Sequence, residues 1–139
     1  MQSNSLLVLL YKKLKENKVV LVYLPLVVYW IVLFILTTTP TDIIPQLFRA
    51  QDKLEHFAAY LVLAVLLSLT LHFQKKRVSL SRNLIIATLS LIMIYAAIDE
   101  LHQIFVPGRI ADIFDWMADS LGGAFGILAG HFFIKKGSV

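Results

Sequence analysis

Residues 52 to 60, DKLEHFAAY, and 99 to 123, DELHQIFVPGRIADIFDWMADSLGG, hold most of the chemistry-bearing side chains of this chain. A histidine flanked by acids is a general acid–base arrangement, and His56 follows Asp52 by four residues, so on a helix the carboxylate orients the ring. Asp112 and Asp115, spaced i, i+3, suit a hard divalent cation, and together with Glu100 they would hold such an ion or supply a nucleophile or second acid. The catalytic candidates are therefore His56, Asp52, Glu100, Asp112 and Asp115. Lys53 and Arg109, the latter presented by the turn-forming Pro-Gly-Arg, could grip a phosphate, with Tyr60, Gln103 and Asp119 as further substrate contacts.

Each reading has a plainer counterpart. Arg109 could simply tie the loop to Asp112 or Asp115, His56 could be a helix-packing hydrogen-bond donor, and i, i+3 carboxylates are common on solvated helix ends. Charge makes the plain readings insufficient together. Asp52, Glu55, Asp99, Glu100, Asp112, Asp115 and Asp119 face only Lys53 and Arg109, plus two titratable histidines, so water, protonation or a bound cation must settle the surplus.

The elements that position these residues are membrane spans. Hydrophobic residues make up 58% of the 139 and charged residues 16%, which is outside the range of soluble domains. Cysteine is absent, which excludes disulfides, zinc thiolates and thiol catalysis. Val19 to Leu36 is an uncharged run of 18 residues, enough to cross the hydrocarbon core, with a kink expected at Pro25. It is too long for a signal-peptide core and has no small-residue cleavage site after it. Leu54 to Phe73, Asn83 to about Phe105 and Ile113 to Ile134 are three more spans, giving an all-α membrane protein, a bundle of four transmembrane helices.

Ten of the thirteen basic residues sort to one side: Lys12, Lys13, Lys15 and Lys18, then Lys75, Lys76, Arg77 and Arg82, then Lys135 and Lys136. The positive-inside rule makes that side cytoplasmic, so both termini face in, and a net charge of +4 reports membrane orientation rather than a nucleic-acid partner. At 1.5 Å per residue Asp119, Asp99 and His56 stand about 24, 25 and 28 Å above the nearest inner basic residue, which predicts a polar layer near the outer membrane face. Residues 1–18 form a cytoplasmic or interfacial segment in which SLLVLLYKKLKE reads as a short amphipathic helix, and 19–136 form the membrane domain.

Asp112, Asp115, Asp119, Gly122 and Gly126 follow a 3,4,3,4 stripe, and Gly122, Gly126 and Gly130 repeat a small-xxx-small pattern that permits close helix packing, within the chain or in a homo-oligomer. RAQDKLE at 49–55 echoes RIADIFD at 109–115, a weak sign of a two-hairpin repeat.

DKLEHFAAYLVLA and DELHQIFVPGRIADIFDWMADSLGGAFG resemble the two hallmark segments of the VanZ-like family of small bacterial membrane proteins, named after a teicoplanin-resistance protein. The likeness runs from about Leu33 to Ile134 and carries over Asp52, Lys53, His56 and Tyr60, then Glu100, Gln103, Pro107, Arg109, Asp112, Asp115, Gly122 and Gly126. Asp119 stands where the family often has Asn. The resemblance implies four spans in the bacterial cytoplasmic membrane and a cell-envelope role linked to glycopeptide resistance, with no settled activity. Two functions follow as expectations. One is a module that binds an envelope lipid or lipid-linked wall precursor by its head group. The other is a membrane enzyme, hydrolase or transferase, acting on a lipid-linked phosphate with a divalent cation.

Overall fold

The computed structural model describes residues 6–40, 47–48, 50–74 and 83–138. Asp42, Arg49, Lys75, Lys76, Arg77 and Arg82 lie outside them. The described residues are helical: α1 (Leu6–Glu16), α2 (Leu24–Thr38) preceded by a π turn (Val19–Tyr23), α3 (Gln51–Phe73), α4 (Leu84–Gln103) and α5 (Ile113–Gly137). Four helical stretches are long and apolar enough to cross a membrane: Val19–Thr38, α3, α4 and α5. The expected spans stand, with α3 starting three residues earlier and α5 running three residues further.

Pro25 acts through the π turn. It sits at the start of α2 and has no N–H, and its ring would collide with the carbonyl four residues back. Widening the preceding turn moves that carbonyl away, and the Leu24 N–H donates to the Val19 oxygen, five residues back. The other end of α2 is held by threonines. Thr37 and Thr38 donate to the Phe34 carbonyl and Thr39 to that of Ile35, after which Pro40 prevents continuation.

Amphipathicity is inverted relative to a soluble bundle. Ile31, Phe34, Ile94 and Leu128 point outward, whereas Asp99, Glu100, Asp115 and Asp119 are buried. Only helices satisfy their own backbone in lipid, so the outer surface can be wholly apolar while polar side chains gather inside.

The tightest pair is α3 against α5, and glycine sets it. A Cβ on Gly122 would strike the Phe57 carbonyl, and one on Gly126 would strike the Leu61 carbonyl. Gly123 instead receives the Ile92 side chain of α4. The small-residue stripe is thus consumed within one chain and offers no free face to a second copy.

The amphipathic N-terminal segment forms α1, which packs across the far ends of α3 and α5. Tyr11 lies against Phe73 and Phe133 and fills the space a Cβ on Gly137 would take, and its hydroxyl bonds His72 Nε2 at 2.9 Å. Next to it the Lys18 ammonium donates to the Phe73 carbonyl (3.1 Å) and caps α3.

Candidate functional site

At the opposite end, α2 and α4 finish while α3 and α5 begin. The turn joining α4 to α5 is built by Val106-Pro-Gly-Arg109: the Arg109 N–H donates to the Val106 carbonyl and Gly108 has φ 77°, which a type II turn requires at that position. This turn aims Arg109 back at α2. Its Nε donates to the Thr39 carbonyl (2.9 Å), one terminal nitrogen to the Leu36 carbonyl (3.1 Å) and the other to Gln103 Oε1 (3.2 Å). Arg109 therefore caps the C-terminus of α2 and locks it to the α4–α5 turn. The expected salt bridge to Asp112 or Asp115 gives way to carbonyl capping, because the last carbonyls of α2, which its backbone satisfies only in part, lie directly beside the turn.

Lys53 takes the carboxylates instead. Its ammonium lies 2.9 Å from Asp112 Oδ2, 2.8 Å from Asp115 Oδ1 and 3.9 Å from Asp52. Asp112 and Asp115 do converge as their spacing predicts, but the ammonium sits where a divalent ion between them would sit. Asp112 has two further tasks. Its side chain accepts from the Phe114 N–H (2.9 Å) as N-cap of α5, and its own N–H donates to Glu100 Oε2 (2.9 Å).

The Phe114 amide first, and then the Lys53 ammonium, hold the Asp112 carboxyl below its ordinary value of 3.8. A carboxyl lowered in the folded state contributes stability that is full above its ordinary value and is lost as pH falls through the native one. The thermal midpoint of the detergent-solubilised protein should therefore drop below about pH 4, and by less in Asp112→Asn, whose amide still caps α5. Equal acid sensitivity of the two proteins would remove Asp112 from that role.

His56 stands one turn further in and is buried. Its Nδ1 is 2.9 Å from Asp119 Oδ1, while Nε2 is 3.9 Å from Asp52 Oδ1. The carboxylate that orients this ring directly is thus Asp119, from α5, with Asp52 the more distant partner. Spacing along α3 pointed to Asp52, and it carries no information about a neighbour supplied by another helix. Asp119 is fully buried, does not line the cavity described below, and holds the His56 ring. Tyr60, a further turn down α3, donates to Asp99 Oδ2 (3.3 Å), and its ring stacks on Tyr95. Glu55, by contrast, is exposed and accepts from Gln51, unlike its counterpart Asp115 in the RIADIFD echo.

Two buried carboxylate oxygens, Glu100 Oε1 and Asp119 Oδ2, have no hydrogen-bond partner among the described residues. One donor atom each from His56, Glu100 and Asp119 lie within 4.8 Å of one another, and the same holds for Asp52, His56 and Asp115.

A cavity of about 590 Å³ opens between α2 and α3. Asp52, Glu55, His56, Asp99 and Arg109 line its polar end, and Tyr29, Leu33 and Val62 its apolar walls. Tyr29 fastens the two helices by donating to the Ala59 carbonyl (3.0 Å). Sequence reading missed this cavity and Tyr29, which sits in an apolar run like any packing aromatic.

Four apolar span-length helices around buried acids and a buried histidine, with a half-buried lysine and arginine beside them, define a multi-pass membrane protein. The VanZ/LLP1 family pattern matches residues 12–134, and the chain belongs to that family. The match begins inside α1, ahead of Leu33 where the hallmark likeness starts. No curated protein and no solved structure gives a significant match.

Proposed function

We propose that this VanZ-like protein binds the polar head of an envelope amphiphile, a membrane lipid or lipid-linked wall precursor, in the cavity between α2 and α3. The cavity carries the reading. Its volume of about 590 Å³ is that of a small-molecule site, and it runs from an apolar wall to a polar end. Leu36 and Val62 at its rim are exposed on the side of the bundle, where acyl chains would lie. Orientation by the lysine-rich ends puts the polar end at the outer face of the bacterial cytoplasmic membrane and both termini in the cytoplasm. A link to glycopeptide resistance would then run through the lipid pool that the site engages.

The lining narrows the head group. Asp52, Glu55 and Asp99 outnumber Arg109, whose guanidinium is already spent on carbonyls, and Lys53 is not among the lining residues. Such a surface suits a head group that donates, an amine or a sugar hydroxyl, better than a bare phosphate. A second reading, an enzyme acting on that head group, draws on His56, which reaches the cavity wall with a carboxylate on either side of its ring.

Mass spectrometry of the detergent-purified protein tests the binding reading. A retained amphiphile is expected, together with at least a tenfold loss of it in Val62→Trp, about 1.4 kcal/mol, at unchanged membrane abundance. Full retention by Val62→Trp would place the ligand elsewhere. Turnover of the retained lipid by wild type but not His56→Ala would move the assignment to the enzyme.

A further inference from the structure

We propose that His56, Glu100 and Asp119 form a site for one divalent first-row transition-metal ion, held between α3, α4 and α5. The proposal goes beyond amphiphile binding, adds Glu100 and Asp119, which do not line that cavity, and can fail without it.

The argument begins with two oxygens. Glu100 is 6% exposed and Asp119 0%, and each uses one carboxylate oxygen on a protein partner while the other, Oε1 and Oδ2, has none among the described residues. Burying an unpartnered carboxylate oxygen is expensive. A cation satisfies both.

The donor spacing fits. Cis ligands of an octahedral ion, with bonds of about 2.1 Å, stand roughly 3.0 Å apart. His56 Nδ1 and Asp119 Oδ1, hydrogen-bonded at 2.9 Å, already stand at the spacing two cis ligands keep when an ion replaces the shared proton, and a Glu100 donor lies within 4.8 Å of both residues' donors.

The surroundings are those of a supported metal site. Ligating histidines characteristically offer their other ring nitrogen to a carboxylate, and Asp52 stands 3.9 Å from Nε2. Glu100 is fixed through its other oxygen by the Asp112 N–H, which leaves Oε1 free. Neutral histidine, two carboxylates and a divalent ion sum to zero charge, the favourable state for a buried cluster. The imidazole ligand favours zinc, iron or nickel over calcium or magnesium. The rival cluster, Asp52, His56 and Asp115, is weaker because Asp115 Oδ1 already meets the Lys53 ammonium at 2.8 Å.

The test uses the full chain in detergent, stripped with chelator and dialysed against micromolar Zn²⁺ or Ni²⁺, with bound metal counted by elemental analysis. One equivalent per chain is expected, together with a rise in thermal midpoint, and at least a tenfold weaker affinity in both E100Q and D119N. D115N should keep its metal. No stoichiometric binding by stripped wild type overturns the proposal whatever the variants do, as does full affinity in folded E100Q. Loss in D115N with retention in E100Q would move the ion to the rival cluster and equally overturn it.

Discussion

Gly122→Ala and Gly126→Ala should each destabilise the protein clearly, by about 1–2 kcal/mol, whereas Gly130→Ala should be nearly silent. Two opposing terms decide the outcome at each position. Replacing a helical glycine by alanine favours the helix by about 1 kcal/mol, because the backbone loses less freedom on folding. Against this stands whatever the new methyl meets. At Gly122 and Gly126 it meets backbone, the Phe57 and Leu61 carbonyls, which cannot rotate away; Phe57 Cα at 3.0 Å and the Ala64 methyl at 2.8 Å close the remaining room. Relief therefore requires α3 and α5 to separate, and forced overpacking costs about 1–3 kcal/mol or more, which outweighs the helix gain. At Gly130 the nearest atoms are the Ser68 Cβ at 3.0 Å and Oγ at 3.3 Å, a side chain that can shift, so the two terms roughly cancel. Because α3 and α5 also bring His56 to Asp119 and Lys53 to Asp115, the first two variants should disturb these contacts as well. Resistance to SDS unfolding in mixed micelles, measured across the series, should rank Gly130→Ala near wild type and the other two far below it. A uniform response would mean that these glycines serve helix propensity alone.

The same helices show how far residue spacing reaches. Periodicity marks which face of a helix is polar, so the stripe Asp112, Asp115, Asp119, Gly122 and Gly126 points inward along α5 as its 3,4,3,4 order predicts, with only Asp112 remaining outside the helix as its cap. Run length marked the four spans to within a few residues. Partner choice between helices was not legible, because it depends on how each helix is rotated against its neighbours. Asp119 rather than Asp52 lies against His56 Nδ1, and Lys53 rather than Arg109 meets Asp112 and Asp115. Arg109 shows why charge counting fails at a helix end. A guanidinium has five donors, and the carbonyls of Thr39 and, with its second lone pair, Leu36 accept them as a carboxylate would. The triple threonine followed by proline at the end of α2 was the available signal for those carbonyls. The buried pair Glu100 and Asp119 was hidden for a similar reason: Asp112 and Asp115 look like the better chelate in sequence, and only the third dimension shows an ammonium already between them.

That ammonium sets the second large effect: Lys53→Met should destabilise the protein by about 2 kcal/mol, and adding Asp115→Asn should restore most of the loss. Breaking a fully buried ion pair by removing one partner costs about 3–5 kcal/mol, because the other charge is left without compensation. An exposed pair is worth about 0–1 kcal/mol. Lys53 lies between these limits, since its side chain is 38% exposed while those of Asp115 and Asp112 are 7% and 31% exposed. Water can replace the ammonium at Asp112, which also keeps the Phe114 N–H, so the penalty falls mainly on Asp115. Neutralising that one residue in the Lys53→Met background removes the buried charge and should recover stability, although Asp115→Asn alone is itself destabilising through the loss of the 2.8 Å contact. A double-mutant cycle in mixed micelles should therefore give a clear favourable coupling energy, in the range found for residues in direct contact, about 0.5–3 kcal/mol. Additive effects would show that water, rather than Lys53, neutralises Asp115. With Lys53 committed to this pair, an incoming cation meets its unopposed acids one turn deeper, at Glu100 and Asp119.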